Sequence, residues 1–148
     1  MSLPVEADFA TIKLGDGATT EVFTIACGIQ DINLNQIANT TDRFIRDCAK
    51  PGEVPNRSVK VTGKQADITA SGLTDKASIA IFNAALGTKK NYRIELGQRN
   101  GTDAGLLLGT YAGNFAMTAF NSSIPIEGES AVELTLASNG AWTWTPAP

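Results

Sequence analysis

Any chemistry in this chain would have to come from carboxylates and thiols, because its 148 residues include no histidine. That absence removes the commonest general base, the usual partner of a Ser or Cys nucleophile, and the commonest metal ligand. Glu127 and Glu129 in PIEGESAVEL are close enough to share a site, as the carboxylate pair of a glycoside hydrolase does. Gly128 between them reads better as a solvated turn joining two strands. Cys27 and Cys48 alone cannot hold zinc. They are also too few for a disulfide framework, so free buried thiols in a reducing compartment are expected. Gly15-Asp16-Gly17 matches part of a dinucleotide fingerprint, but Thr20 stands where the third glycine belongs and a strand, not a helix, follows. Gly63-Lys64 lacks the upstream glycine spacing and the following Ser/Thr of a phosphate loop, and no Ser-x-x-Lys occurs. The N-x-Ser/Thr sequons at Asn39, Asn56, Asn100 and Asn121 mean little without a secretory signal. These residues therefore predict no catalytic centre, no cofactor and no bound metal.

The elements that would hold any functional surface are mostly strands. In TEVFTIACG, Val22 stands opposite Phe23, Ile25 and Cys27, and in IQDINLN the apolar set moves to Ile32 and Leu34, so a bulge or kink is expected near Gly28. DFATIKL reads as the hairpin partner of this stretch, with GDGAT supplying the turn. In RSVKVTGK, Val59 and Val61 are expected inward, with Lys60 and Thr62 outward. NYRIELG alternates Tyr92, Ile94 and Leu96 against Arg93 and Glu95, a half-buried pattern. LLLGTYAGNFAMTAF carries Tyr111, Phe115 and Met117 on one side, and AVELTLAS does the same with Val132, Leu134 and Leu136. Asn139-Gly140 reads as a two-residue turn before a last strand that carries Trp142 and Trp144 on one face.

One helix is predicted at about residues 74–86. Thr74 is its expected N-cap, Asp75 sits at the positive end of the dipole, and Gly87 takes the C′ place. Ile79, Phe82 and Leu86 form a stripe that can lie on a sheet. The fold class is thus mainly β: an antiparallel sandwich or barrel with one flanking helix and a long loop at about residues 39–57, all in a single domain spanning 1–148. No apolar run approaches the ~18 residues of a membrane span, and MSLPVEADFA lacks the marks of an export signal, so a soluble protein made in the cytoplasm is expected.

Charge is unevenly spread. Residues 1–42 carry a net −5, residues 43–99 a net +6 and residues 100–148 a net −4. The segment ANTTDRFIRDCAKPGEVPNRSVKVTGK, residues 38–64, holds six cations and three acids, yet also Phe44, Ile45 and Cys48. A solvated linker has little reason to carry those apolar residues. A basic stretch can contact phosphates, but the overall net charge of −3 and the lack of a helix-turn-helix or RNA-recognition signature count against a nucleic-acid binder. Self-complementarity is the other reading: a basic loop on one copy meets acidic strands or turns on the next. Such a contact is heterologous and builds rings or filaments. The bland alternative is an ordinary solvated surface whose charges happen to segregate.

Two blocks carry a family likeness: TTDRFIRDCAKPGEVPNRSVKVTGK and SIPIEGESAVELTLASNGAWTWTP. Together, in this order, they resemble the major tail protein, or tail tube protein, of long non-contractile-tailed bacteriophages and their prophage relatives. The resemblance implies a β-sandwich with a flanking helix, hexameric rings that stack into a tail tube, and DNA passing through the lumen without specific binding. It implies further partners in the tape measure, the tail terminator and the initiator complex, no membrane, and residence in the virion tail after synthesis in the bacterial host. In relatives a long loop between early strands reaches neighbouring subunits. Carried over, that role falls on residues 40–57, with Arg43, Arg46, Lys50 and Arg57 expected in intersubunit ion pairs and Phe44 and Ile45 as buried anchors. Alternatives are the tube protein of a contractile tail or type VI-like apparatus, and a stand-alone carbohydrate- or protein-binding sandwich that uses Trp142 and Trp144.

Overall fold

The computed structural model describes residues 3–148. Strands β1 (Phe9–Gly15), β2 (Phe23–Ile25), β3 (Ile29–Ile45) and β4 (Asn56–Leu73) precede one helix, α1 (Lys76–Ala85). Strands β5 (Lys89–Gln98), β6 (Leu106–Ser123) and β7 (Ala131–Pro146) follow it. All seven strands join one sheet in the order β2-β1-β5-β6-β7-β4-β3, and every neighbouring pair is antiparallel. The mainly β architecture with one flanking helix is as predicted, in its barrel-like form: a single sheet rolled on itself.

The roll follows from the link between β2 and β3. Residues 26–28 touch both ends of the sheet, since the Ala26 amide donates to Ile12 O of β1 at 2.9 Å and the Leu73 amide of β4 donates to Gly28 O at 2.9 Å. β1 and β3 therefore lie against each other without forming a ladder. Gly28 has φ 89°, and a side chain on the facing Gly72 would collide with the Gly28 carbonyl, so both positions require glycine. The expected irregularity near Gly28 is real, as a register shift between Ile29 and Asp31. Ahead of it, pairing of Ile25 with outward-facing Lys13 and the Ala26 amide bond to Ile12 put Ala26 inward and leave Ile25 and Cys27 exposed, reversing the predicted face of that strand. Both cysteines are free but exposed, not buried.

Period-two alternation fills the interior. Ile12, Ile68, Tyr92, Ile94, Phe115, Met117, Leu134 and Leu136 are each at most 2% exposed and meet in one cluster. The helix covers this face through Ser78, Phe82 and Ala85, with Phe82 against Phe120 at 5.4 Å between ring centroids. The predicted stripe holds at Phe82 but not at Leu86, which is 44% exposed and leaves the helix by a bridge to Met117. Asp75, rather than Thr74, is the N-cap: its carboxylate accepts from the Ser78 amide and the Ser78 hydroxyl, both at 3.1 Å. The Ser78 hydroxyl also reaches the Cys27 carbonyl at 2.9 Å, which pins the helix start to the link that closes the roll. In the β1–β2 turn, Asp16 accepts from the Ala18 and Val22 amides, and these bonds, Ala18 first, hold its carboxyl below the usual range.

The long loop is shorter than predicted. Residues 39–45 belong to β3 and residues 56–57 to β4, and only residues 46–55 lie outside strands. Backbone pairing running from Ile29↔Gly72 to Ile45↔Asn56 explains the difference, because the polar, charged side chains there masked a ladder broken only by two register shifts. Asn139-Gly140 is likewise not a hairpin turn. β7 runs through it, and three residues, 139–141, stand opposite Asn114 alone in a wide bulge with Gly140 at φ 95°.

Candidate functional site

The outer half of the β3–β4 hairpin leaves the body as a two-stranded arm. β4 pairs with β7 only as far as Asp67↔Ala137, where the Ser138 hydroxyl receives the Ala66 amide at 3.0 Å and the bulge then carries β7 away. From Asn35 onward β3 is exposed throughout. At about 3.3 Å per residue, the run from residue 35 to residue 45 extends the arm roughly 33 Å beyond the core. A second register shift between Asn39 and Thr40 leaves Thr62 unpaired midway, with its hydroxyl on the Asn39 carbonyl at 3.1 Å. The tip is ordered by its own bonds. Asp47 accepts the Lys50 amide on its carbonyl at 3.1 Å and the Ala49 amide on its carboxylate at 2.9 Å, and Lys50 O accepts the Glu53 amide at 3.1 Å.

Strand alternation divides the arm into two faces. One continues the core-facing side of the sheet and bears Phe44, Val59 and Val61, which are 68%, 46% and 58% exposed. Arg57 lies directly across from Phe44 on this face, and its guanidinium is 3.9 Å from the Asp42 carboxylate. The other face bears Arg43, Lys60 and Ile37, and Ile45 ends the same row. Arg46 and Lys50 lie in the tip, beside Val54 at 87% exposure. The six residues singled out in the sequence are thus all on the arm and all exposed, but Arg43 and Arg57 point to opposite sides of it.

Val59 and Val61 occupy the predicted inward face and yet have no layer above them, because the strand outruns the body. Uncovered apolar side chains of this size on a projecting ribbon are what a contact surface offers. Alternation in SVKV was the available signal; missing was how far β7 and α1 extend. Sequence reasoning also passed over Ile124 and Ile126, which are 78% and 105% exposed in the loop between β6 and β7. Glu127 and Glu129 belong to that same exposed loop, where Gly128 has φ 105°.

The two tryptophans differ in how far the chain engages them. Trp142 packs against the core and donates its indole N–H to Gln36 Oε1 at 2.9 Å, steadying the base of the arm. Trp144 lies over Gly109 and beside Tyr111, with ring centroids 4.6 Å apart. Trp142 is thus engaged within the chain, whereas Trp144 keeps 46% of its surface exposed. On the outside of the body, Lys13 and Glu95 form an ion pair at 3.0 Å, and Arg93 stacks over Phe23 at 3.8 Å. The outer face of β3, β4 and β7 bears Asp31, Asn33, Asp67, Thr69, Ser71, Glu133 and Thr135, three carboxylates with no cation among them. Among the described residues no three His, Cys, Asp or Glu side chains gather as metal ligands, and no helix is long and apolar enough to cross a membrane.

A family model described as phage tail tube protein matches residues 10–144. No curated protein sequence matches the chain. Among solved structures, a chain from the SPP1 tail tube is 12% identical, with 97% of this chain and 80% of that one covered and a TM-score of 0.65. A chain from the tail of an empty gene transfer agent particle, refined with C6 symmetry, is 20% identical over 91% of this chain and 94% of that one, at a TM-score of 0.62. A chain from the sheath–tube complex of an extracellular contractile injection system, PVC, is 17% identical over 97% and 93%, at a TM-score of 0.63. These three share the fold with the present chain.

Proposed function

The chain belongs to the phage tail tube protein family, and from that premise we propose that its copies associate into rings, hexameric in number, that stack as a tail tube and conduct DNA. The arm carries this reading: a ribbon with Phe44, Val59 and Val61 uncovered has no role inside one subunit. In the tube the apolar residues of the arm are covered by a neighbouring copy, with Phe44 and Ile45 as anchors. Arg43, Arg46, Lys50 and Arg57 meet carboxylates there, adding register and orientation. The protein is structural, not enzymatic. Its further partners are the other tail proteins, namely the tape measure, the terminator and the initiator complex.

The outer face with Asp31, Asp67 and Glu133 suits the lumen. A duct that must let a polyanion slide should not offer it cations, because each Lys or Arg contact with a phosphate adds affinity through counterion release. Weak repulsion at a polar, hydroxyl-rich wall leaves the polymer mobile, and screening confines that repulsion to about 8–10 Å. Negative-stain images of concentrated protein test the assembly. Tubes with a central channel are expected, and a species that stays monomeric at every concentration overturns the proposal.

A further inference from the structure

The arm needs a counterpart, and the opposite end of the sheet supplies one. Ile29 pairs with Gly72, Leu73 with Ala131, and Ala131 with Ser123, so the loop of residues 124–130 opens from the end where β3 begins. The arm's tip opens from the other end, beyond Ile45↔Asn56. The two surfaces complement each other in charge and share apolar character. The loop presents Ile124, largely exposed, and Ile126, fully exposed, beside Glu127 and Glu129 and no cation. The tip presents Phe44, Ile45 and Val54 with Arg46 and Lys50.

We propose that the β6–β7 loop of one copy is the seat for the arm tip of the next, Ile124 and Ile126 packing on its apolar residues while Glu127 and Glu129 face Arg46 and Lys50. The occupant is a second copy of this chain, and the inference rests on the tube reading above. Two exposed isoleucines flanking a proline are poor choices for a loop that stays in water, whereas a contact whose centre is apolar and whose rim is charged needs them. Donor and acceptor are different patches at opposite ends of the strands, so the contact is heterologous; placed between stacked rings, it propagates from copy to copy along the tube.

Cys48 in the tip provides the handle for a test. In a Cys27→Ser background, Ile126→Cys is introduced and tubes seen in images are treated with a short bismaleimide. A covalent ladder extending past six subunits on a denaturing gel is expected, and only after assembly. Tubes without a ladder overturn the seat but leave the tube reading intact. A ladder that stops at the ring number places the contact within one ring and overturns it as well. Failure of the unmodified protein to form tubes overturns both. Should Ile126→Cys not fold, charge reversal replaces it: Glu127→Lys with Glu129→Lys should raise the concentration needed for tubes roughly tenfold or more. Adding Arg46→Glu and Lys50→Glu should restore it, and a quadruple variant no better than the double one overturns the pairing.

Discussion

Replacing Phe44 by alanine should separate folding from assembly. The ring is 68% exposed in the single chain. An aromatic side chain presents about 200 Å² of surface, so roughly 130 Å² remains for a neighbour to cover. At about 25 cal/mol per Å², full coverage contributes ~3 kcal/mol per contact, and incomplete coverage about 2. The concentration at which tubes form should therefore rise roughly thirty- to a hundredfold in Phe44→Ala. The isolated subunit should be nearly indifferent, since exposed positions away from caps and cores change stability by only about 0.5 kcal/mol. Light scattering across a dilution series, calibrated by images, gives the first quantity, and urea unfolding followed by circular dichroism gives the second. Assembly at the wild-type concentration would refute the role of the ring. So would a loss of several kcal/mol in the subunit, because it would make Phe44 part of the chain's own core.

Reversing Arg43, Arg46 and Lys50 together to Glu should leave the far-ultraviolet spectrum unchanged and abolish tubes by negative stain; wild-type assembly should also weaken as salt rises, read by scattering between low and high ionic strength. Asp75→Ala removes the acceptor of two Ser78 bonds and should lower stability by about 1 kcal/mol in urea melts. Tyr92 is 1% exposed, its hydroxyl has no hydrogen-bond partner among the described residues, and burial pushes its pKa up to about 12. Because the folded pKa lies above the ordinary value of 10.0, the unfolded chain loses its proton first, and stability should fall as pH rises from about 10 to about 12. Tyr92→Phe removes the unpaired hydroxyl and should raise neutral-pH stability by about 1 kcal/mol while flattening that alkaline decline; unfolding midpoints across the pH series check both.

Much of the body was legible because alternation at a period of two reports directly on which side a residue faces. Tyr92 and Ile94, Leu134 and Leu136, and Phe115 and Met117 were placed inward by that rule and are inward. The same rule failed at Val59 and Val61, whose side was right and whose burial was wrong, because coverage depends on where another strand ends. Asn139-Gly140 has the chemistry of a tight turn, but left-handed backbone at Gly140 serves a bulge equally well, and only the pairing of β6 with β7 decides between them. Cys27 does alternate with Phe23 and Ile25, but Ile25 pairs with the outward-facing Lys13 of β1, so the whole row faces out, and only the pairing of β1 with β2 discloses that. In the arm, charged side chains hid a ladder whose basis is main-chain pairing, so the residues proposed for contact were placed together on one segment but not sorted onto its two faces.

The roll closed by residues 26–28 also governs what the protein does not do when crowded. Open sheet edges are templates for unplanned strand addition and fibrillar aggregation. Here one rim is only the three residues of β2, and the inner stretch of β3 is shielded by β1. Among the described residues the longest unpaired backbone is on the arm, with a shorter stretch in the outer half of β7, which past Ala137 pairs with β6 only. In a concentrated solution of this protein the aggregation hazard thus falls mainly on the ribbon that the proposed tube would cover, and each copy incorporated there would take one such template out of circulation.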